Sequence, residues 1–484
     1  MKPSHATLFP GWASRLSAVL IVLVLTGCVS VGPDYVSPSP SAGPTWHTQL
    51  KGGLTSDEAD PTTVAAWWTT LNDPELSRLI DRAVAGNLDL KKARARVREA
   101  RARRGVARAD LVPAVDATGS ATRSRGSESM GSGDTTTLYR TGFDATWELD
   151  IFGGLRRSVE AAEADLQASR EDLRDVLVSL LGEVASNYVE VRTLQLQRAV
   201  AEANILAQSD TYQLAVWRQE AGLSDQLVVQ QARYNLESTQ SKIPIIRTSL
   251  EETMNRIAVL LGEQPGRVHG DLEKPMPVPF IPPNVGVGVP ADALRRRPDV
   301  RRAERELAAQ TARVGVATAD LYPKFTLSGS IGLEALTLNK LFFLSNRTAS
   351  GGGGISLPIF HGGALRQKVE IQSALQEQAA IAYETAVLNA LEEVENILTA
   401  YAEQQARRDS LSAAEDAARQ AAEMAQYKYE GGLADFISVL DAQRQLLSFQ
   451  EQLAESNGAV VTNLIKLYKA LGGGWESLIP YGKE

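Results

Sequence analysis

The sequence predicts a mixed fold: transmembrane β-strands joined to very long α-helices, with one structural unit duplicated along the chain. Three observations predict it. Two segments alternate apolar and polar residues over a membrane-spanning length, one stretch of 66 residues contains neither glycine nor proline, and a set of short motifs returns 210 positions later.

The strands come first. Tyr139, Thr141, Phe143, Ala145, Trp147, Leu149 and Ile151 alternate with Arg140, Gly142, Asp144, Thr146, Glu148 and Asp150. Phe325, Leu327, Gly329, Ile331 and Leu333 alternate with Lys324, Thr326, Ser328, Ser330 and Gly332. A period of two puts one face in an apolar medium and the other in water. Strands of about ten residues with charges on the polar face fit a barrel wall around a wet lumen, although a soluble half-buried sheet has the same alternation. Two strands per unit make four per chain, at about 113–125, 138–152, 324–333 and 349–360. Lipid admits only closed barrels, which take about eight strands or more, so a barrel must be shared between chains.

The helices follow. Leu365 to Glu430 is the stretch without glycine or proline, roughly 100 Å of helix. Val387, Leu391, Val394, Leu398 and Tyr401 step by four and three, as do Leu411, Ala414, Ala418, Ala421 and Ala425, which is coiled-coil spacing. The first unit repeats the design from Leu155 to Glu220, with Val184, Tyr188 and Val191 on one seam. Gly222 and Gly431-Gly432 end the long helices, where a left-handed residue is needed, and Asp225 and Asp435 stand where the return helices want an N-cap. Pro244 should kink the first return helix.

The repeat ties these together. Ala107-Arg-Ala-Asp-Leu-Val-Pro113 returns as Ala317-Thr-Ala-Asp-Leu-Tyr-Pro323, Ala221-Gly-Leu-Ser-Asp225 as Gly431-Gly-Leu-Ala-Asp435, and Leu261-Gly262 as Leu471-Gly472, each 210 residues on. The seven prolines between Pro265 and Pro290 preclude regular helix there and mark a linker.

The N-terminus has its own pattern. Lys2 and Arg15 precede the apolar run Leu16 to Leu25, and Leu25-Thr-Gly-Cys28 follows. The run is too short to span a bilayer and reads as a secretory signal of residues 1–27. Its end resembles the bacterial lipoprotein box, which implies cleavage before Cys28 and acylation of that residue. Val29 in place of an aspartate fits outer-membrane sorting. Losing the leader takes the formal charge from −8 to −10. Cys28 is the single cysteine, so no disulfide staples the fold.

Composition narrows the function. Hydrophobic content is 44% and charged content 22%, with both signs interspersed, so no nucleic-acid face is expected. His47, His269 and His361 are widely spaced, with no zinc spacing, nucleophile elbow or phosphate loop, and the five methionines do not cluster. Neither an enzyme nor a soft-metal relay is expected. Trp67, Trp68 and Trp475 read as packing anchors, and Arg295 to Arg297 as a solvated helix start rather than a basic patch.

Cys28-Val-Ser-Val-Gly-Pro-Asp34-Tyr35, Trp67-Trp68, Asp73-Pro-Glu-Leu76, Asn87-Leu-Asp-Leu90, Arg297-Pro-Asp-Val300 and Leu440-Asp-Ala-Gln443 together resemble the outer membrane factor family, the TolC/OprM-like channels with NodT-type efflux lipoproteins. The match runs from Cys28 to about Gly474. The resemblance implies a homotrimer, with a 12-stranded barrel in outer-membrane lipid continuous with a long periplasmic helical barrel. It implies a periplasmic adaptor and an inner-membrane pump as partners, no cofactor beyond N-acyl and S-diacylglycerol lipid on Cys28, and tip aspartates that narrow the entrance and can bind cations; the histidine and methionine spacing already argues against a resident metal. The resemblance places an aperture acid at Asp441, with Ser438 and Gln231 at related positions that are acidic in some members or equivalent in the first unit. Asp435 and Asp225 become secondary aperture candidates, and Gly222, Gly431 and Gly432 tip turns for adaptor docking. The implied organisation is an acylated segment 28–66 wrapping an equatorial region, a first repeat 67–264, a linker 265–294, a second repeat 295–474 and a tail 475–484. Drug or small-molecule efflux is the expected role; a duct for protein secretion and a channel-free structural lipoprotein are the alternatives.

Overall fold

The structure, a computed structural model, describes residues 30–39, 42–57, 60–129 and 133–478. The leader and Cys28 lie outside the described residues. In chain order the elements are β1 (Leu54–Thr55), α1 (Pro61–Ala65), a 3-10 turn (Trp67–Leu71), α2 (Pro74–Gly86), α3 (Leu88–Ala109), β2 (Ala114–Arg125), β3 (Thr135–Leu149) and α4 (Gly154–Glu220). They continue as α5 (Gln226–Gln240), α6 (Lys242–Leu260), α7 (His269–Leu272), β4 (Val285–Gly286), α8 (Pro290–Arg296), α9 (Pro298–Ala319), β5 (Lys324–Ala335), two 3-10 turns, β6 (Arg347–Ser356), α10 (Ala364–Glu430) and α11 (Phe436–Ala470). The bounds of α3 and α9, and those of α4 and α10, stand 210 residues apart. Among the described residues no helix is long and apolar enough to cross a membrane.

The chain divides into two compact units. The first holds the described residues up to Pro38, with Val97–Ser169 and Ala303–Tyr383. Its centre is a four-stranded antiparallel sheet in the order β2-β3-β5-β6. The bounds differ from expectation for local reasons. β3 stops at Leu149 because the Asp150 carboxylate accepts from the backbone N–H groups of Leu155 and Arg156 at 3.1 and 2.9 Å, turning the chain into α4. β6 stops at Ser356, two residues before Pro358, which has no N–H for a ladder, and it starts early because Arg347 pairs with Leu333.

The N-terminal strap of this unit is fastened at the junction of β3 and α4. Val31 N–H donates to Phe152 O at 3.0 Å, and the Arg157 guanidinium meets Asp34 at 2.6 Å. A Cβ on Gly32 would come within 2.4 Å of Gly315 Cα, so strap and α9 touch backbone to backbone.

The second unit holds Ser39–Arg96, Arg170–Arg302 and the described residues from Glu384 on. Heptad positions form its core: Val184, Tyr188, Val191, Leu398 and Tyr401 are all essentially buried. On α10 the second seam is buried at Leu411 and Ala418, but Ala421 is exposed. Asp73 caps α2 through Oδ1, and its Oδ2 accepts from the Tyr188 hydroxyl at 2.6 Å, so one carboxylate both starts a helix and pins it to α4. Trp67 stacks on Tyr468 at 5.7 Å, and Arg174 lies 4.6 Å over Trp475, so the tryptophans are buried anchors as expected.

The arginine run does not form a solvated helix start. Arg295 and Arg296 lie in the last turn of α8, while Arg297 is buried and bridges Asp299 and Glu393, each at 2.7 Å. A buried guanidinium needs such partners to offset its desolvation. The proline-rich linker, expected to hold no regular helix, is irregular apart from the short α7, β4 and the start of α8, where Pro290 sits at the first helical position and costs no hydrogen bond. It is held by Arg192 and Gln195, which donate to Lys274 O and Leu272 O, and by β1, which pairs in parallel with β4.

Candidate channel wall and hairpin tips

Register in the first unit sorts the sheet into two chemically opposite faces. Ala117, Phe143, Ile331 and Ala349 stand opposite one another across the four strands, and so do Gly119, Thr141, Leu333 and Arg347. The same face carries Val115, Ala145, Trp147, Phe325, Leu327 and Ile355. The other face carries Asp116, Thr118, Arg140, Asp144, Glu148, Thr326, Ser330, Ser350 and Glu334, tied by Arg140 to Glu334 at 3.1 Å, Thr118 to Asp144 at 2.8 Å, and Ser330 to Ser350 at 2.8 Å. Phe143, Ile331 and Ile355 are more than half exposed in the single chain, which for apolar side chains on this scale marks a surface meant for lipid or a partner.

The sheet has two free edges, β2 and β6, both exposed along their whole length. Strand direction alternates, so β6 of one copy laid against β2 of another would be antiparallel, as a closed barrel requires.

The hairpin tips belong to the second unit. After α4, Leu223 N–H reaches back to Arg218 O at 2.8 Å, with Gly222 at φ 73°; after α10, Leu433 N–H reaches Lys428 O at 2.7 Å, with Gly432 at φ 76°. Only the second glycine is left-handed, so Gly431 is not the turn residue, and an alanine, Ala221, serves at its counterpart. Asp225 Oδ1 accepts from Val228 N–H and Asp435 Oδ1 from Ser438 N–H, both at 3.1 Å, so both aspartates cap their return helices. The Ser438 hydroxyl also donates to Asp435, and these hydrogen bonds hold that carboxyl below the usual range. Tyr429, Phe436, Val439, Leu440 and Val229 bury a core that clasps the two hairpins together, with the Arg218 guanidinium 4.6 Å over Tyr429.

Asp441 stands apart from the caps. Its side chain is 62% exposed, and among the described residues its one ion pair is with Arg444 at 2.9 Å, on its own helix. Leu223 and Leu433 protrude at the tips, 70% and 82% exposed. Among the described residues no group of three or more potential metal ligands gathers.

The pattern described as "Outer membrane efflux protein" matches residues 79–263 and again 289–473, two matches 210 residues apart. The chain belongs to the outer membrane efflux protein family. Nodulation protein T of Rhizobium leguminosarum bv. trifolii is 33% identical, covering 97% of this chain and 99% of the relative. The pyoverdine export outer membrane protein OpmQ of Pseudomonas putida is 32% identical over 99% of each. Among solved structures, the outer-membrane channel OprN superposes with a TM-score of 0.88 at 35% identity, covering 92% of this chain and 99% of that one. CusC gives 0.80 at 28% identity, covering 92% and 100%. The protein is an outer-membrane efflux channel that extends into the periplasm.

Sequence reading of this efflux protein missed the polar layer inside its helices. Asn204 donates to Gln450 at 2.7 Å and Gln450 to buried Glu415 at 3.1 Å, linking α4, α11 and α10. Single polar residues between heptad positions gave no signal, since they look like any solvated helix face.

Proposed function

We propose that three copies of this channel close one 12-stranded barrel in the outer membrane, each giving four strands. The resulting duct is passive, performs no chemistry, and carries small toxic compounds delivered by an inner-membrane pump through a periplasmic adaptor. The observation that carries the reading is the sheet: one face apolar, the other charged, and both edges unpaired. On the apolar face Tyr139 and Trp147 stand eight residues apart, about 27 Å along a strand, or about 20 Å of height at barrel tilt, close to an outer-membrane apolar band.

In this reading Cys28 carries N-acyl and S-diacylglycerol lipid. The strap from Ser30 to Pro38, fastened beside the end of β3, keeps that anchor close to the helix-side end of the sheet, at the periplasmic border of the membrane. The repeats span 67–264 and 295–474 with the linker 265–294 between them, the segment 28–66 wraps the equator, and 475–484 is a tail. Asp441 lines the periplasmic aperture. Asp225 and Asp435 serve it indirectly by fixing the tips, whose turns at Gly222, Gly431 and Gly432 present Leu223 and Leu433 to the adaptor.

The test is assembly and conductance of the purified acylated chain. An unheated trimer band in dodecyl sulfate that collapses on boiling, with stable channels in planar bilayers, is the expected result; a water-soluble monomer with no conductance overturns it. Deleting the gene and profiling sensitivity to drugs, solvents and metals then reads out the cargo class.

A further inference from the structure

The apolar face changes character at the end of the sheet away from the helices. Arg123 and Arg125 end β2, and Arg347 begins β6. Register places Arg123 opposite Thr137, Arg125 opposite Thr135 and Arg347 opposite Leu333, which is the parity of Phe143 and Ile331, the lipid-facing side. Among the described residues the side chains of Arg123 and Arg347 have no ion pair, and all three arginines are exposed; Arg125 donates through Nε to Gly133 O at 3.3 Å and reaches Glu128 at 3.4 Å, with both charged groups well over half exposed. The adjoining β5–β6 loop projects Leu336, Phe342, Phe343 and Leu344, each more than half exposed, with Lys340 among them.

Basic groups on the lipid side of a rim beside protruding apolar side chains need an occupant that is anionic at its head and apolar below. Water alone satisfies the arginines but not the loop, and a neutral lipid satisfies the loop but not the arginines. Resting on the shared-barrel reading, β6 of one copy lies beside β2 of the next, and the stagger that sets Ala349 opposite Ala121 puts Arg347 opposite Arg123 across the seam, with Arg125 next on the same face. We propose that this rim binds a phosphorylated, multiply acylated glycolipid of the outer leaflet, one at each of three seams. Its phosphates are held by the three arginines, and its acyl chains lie against the loop and the apolar band. Guanidinium pairs with phosphate through two parallel N–H donors, which suits arginine better than lysine here.

The test titrates the purified full-length channel in neutral detergent with bis-phosphorylated hexa-acyl lipid A and reads the temperature at which the trimer dissociates. Parallel titrations use the dephosphorylated lipid, phosphatidylglycerol and inorganic phosphate. The bis-phosphorylated lipid should raise that temperature and the other three should not. The R123Q/R125Q/R347Q variant should need about a hundredfold more lipid for the same effect. If that variant does not assemble, R347Q alone should still weaken the response about fivefold, and R347K should weaken it less. An equal response to dephosphorylated lipid or phosphatidylglycerol, or unchanged titrations in the variants, overturns the proposal. A preparation that is monomeric before any lipid is added fails at the shared barrel instead, so the two failures are told apart.

Discussion

Two carboxylates show how differently one side chain is used at the residue scale. Asp299 is half-buried against the buried Arg297. Burial by itself would raise its pKa, but the hydrogen bonds and charge of Arg297 outweigh this and hold it below the usual value. A depressed folded pKa contributes stability that is fully present above the unfolded value, near 4, and is lost as the pH falls through the lower folded one. Unfolding followed by circular dichroism should therefore show little dependence on this pair from neutral pH to about 4 and a decline below it. Asp299→Asn should cost about 1–3 kcal/mol at neutral pH and flatten the acid limb. An acid limb identical in wild type and variant would remove the pair from the balance. Asp441, by contrast, is exposed and has only Arg444. Asp441→Ala should leave trimer assembly intact while raising conductance or weakening block by cations in planar bilayers. If conductance and block are both unchanged, Asp441 does not line the aperture.

At the scale of elements, the long helices, the tips and the strand alternation were legible because each follows from local chemistry: an uninterrupted run of helix formers, a glycine able to turn left-handed, a period of two. β6 was harder, since Gly351 to Gly354 carry no alternation and only pairing with β5 makes them a strand. The return helices show the same limit. Phe436–Ala470 is one helix of 35 residues, whereas its counterpart breaks at Ser241, three residues before Pro244, because proline has no N–H for Gln240 O and its ring crowds that carbonyl. Pro244→Ala should fuse α5 and α6 and add about 1–3 kcal/mol of stability; an amide at 244 that exchanges as fast as the exposed tips would show that the break has another cause. Close approach is invisible to periodicity altogether. A Cβ on Gly458, inside α11, would lie 2.1 Å from Thr193 Oγ1 and 3.1 Å from its Cβ, so Gly458→Ala should cost about 1–3 kcal/mol in denaturant unfolding. A neutral result there would mean that α4 and α11 can separate freely.

The whole molecule turns on what its two free strand edges meet, and the chain supplies a clean probe. Its single cysteine is the proposed lipid attachment site, so an introduced pair of thiols has no free competitor once Cys28 is acylated. Ala349→Cys on β6 can be combined in turn with Ala117→Cys, Gly119→Cys or Ala121→Cys on β2, all on the same face of the sheet by register. Within one chain β2 and β6 are separated by β3 and β5, about 14 Å at ordinary strand spacing, which is too far for a disulfide. Between chains, directly paired strands bring opposite Cβ atoms to about 5 Å, within reach after small adjustment. One of the three pairs should therefore oxidise efficiently and its neighbours weakly, since register repeats every two residues on a face. The product should be a circular trimer that survives boiling and reverts to monomer with a reductant. A ladder of open dimers and higher polymers would mean edges that associate without closing. The absence of any reducible band from all three pairs would mean that β2 and β6 do not meet, and the reading of four strands as one third of a sealed wall would fall with it.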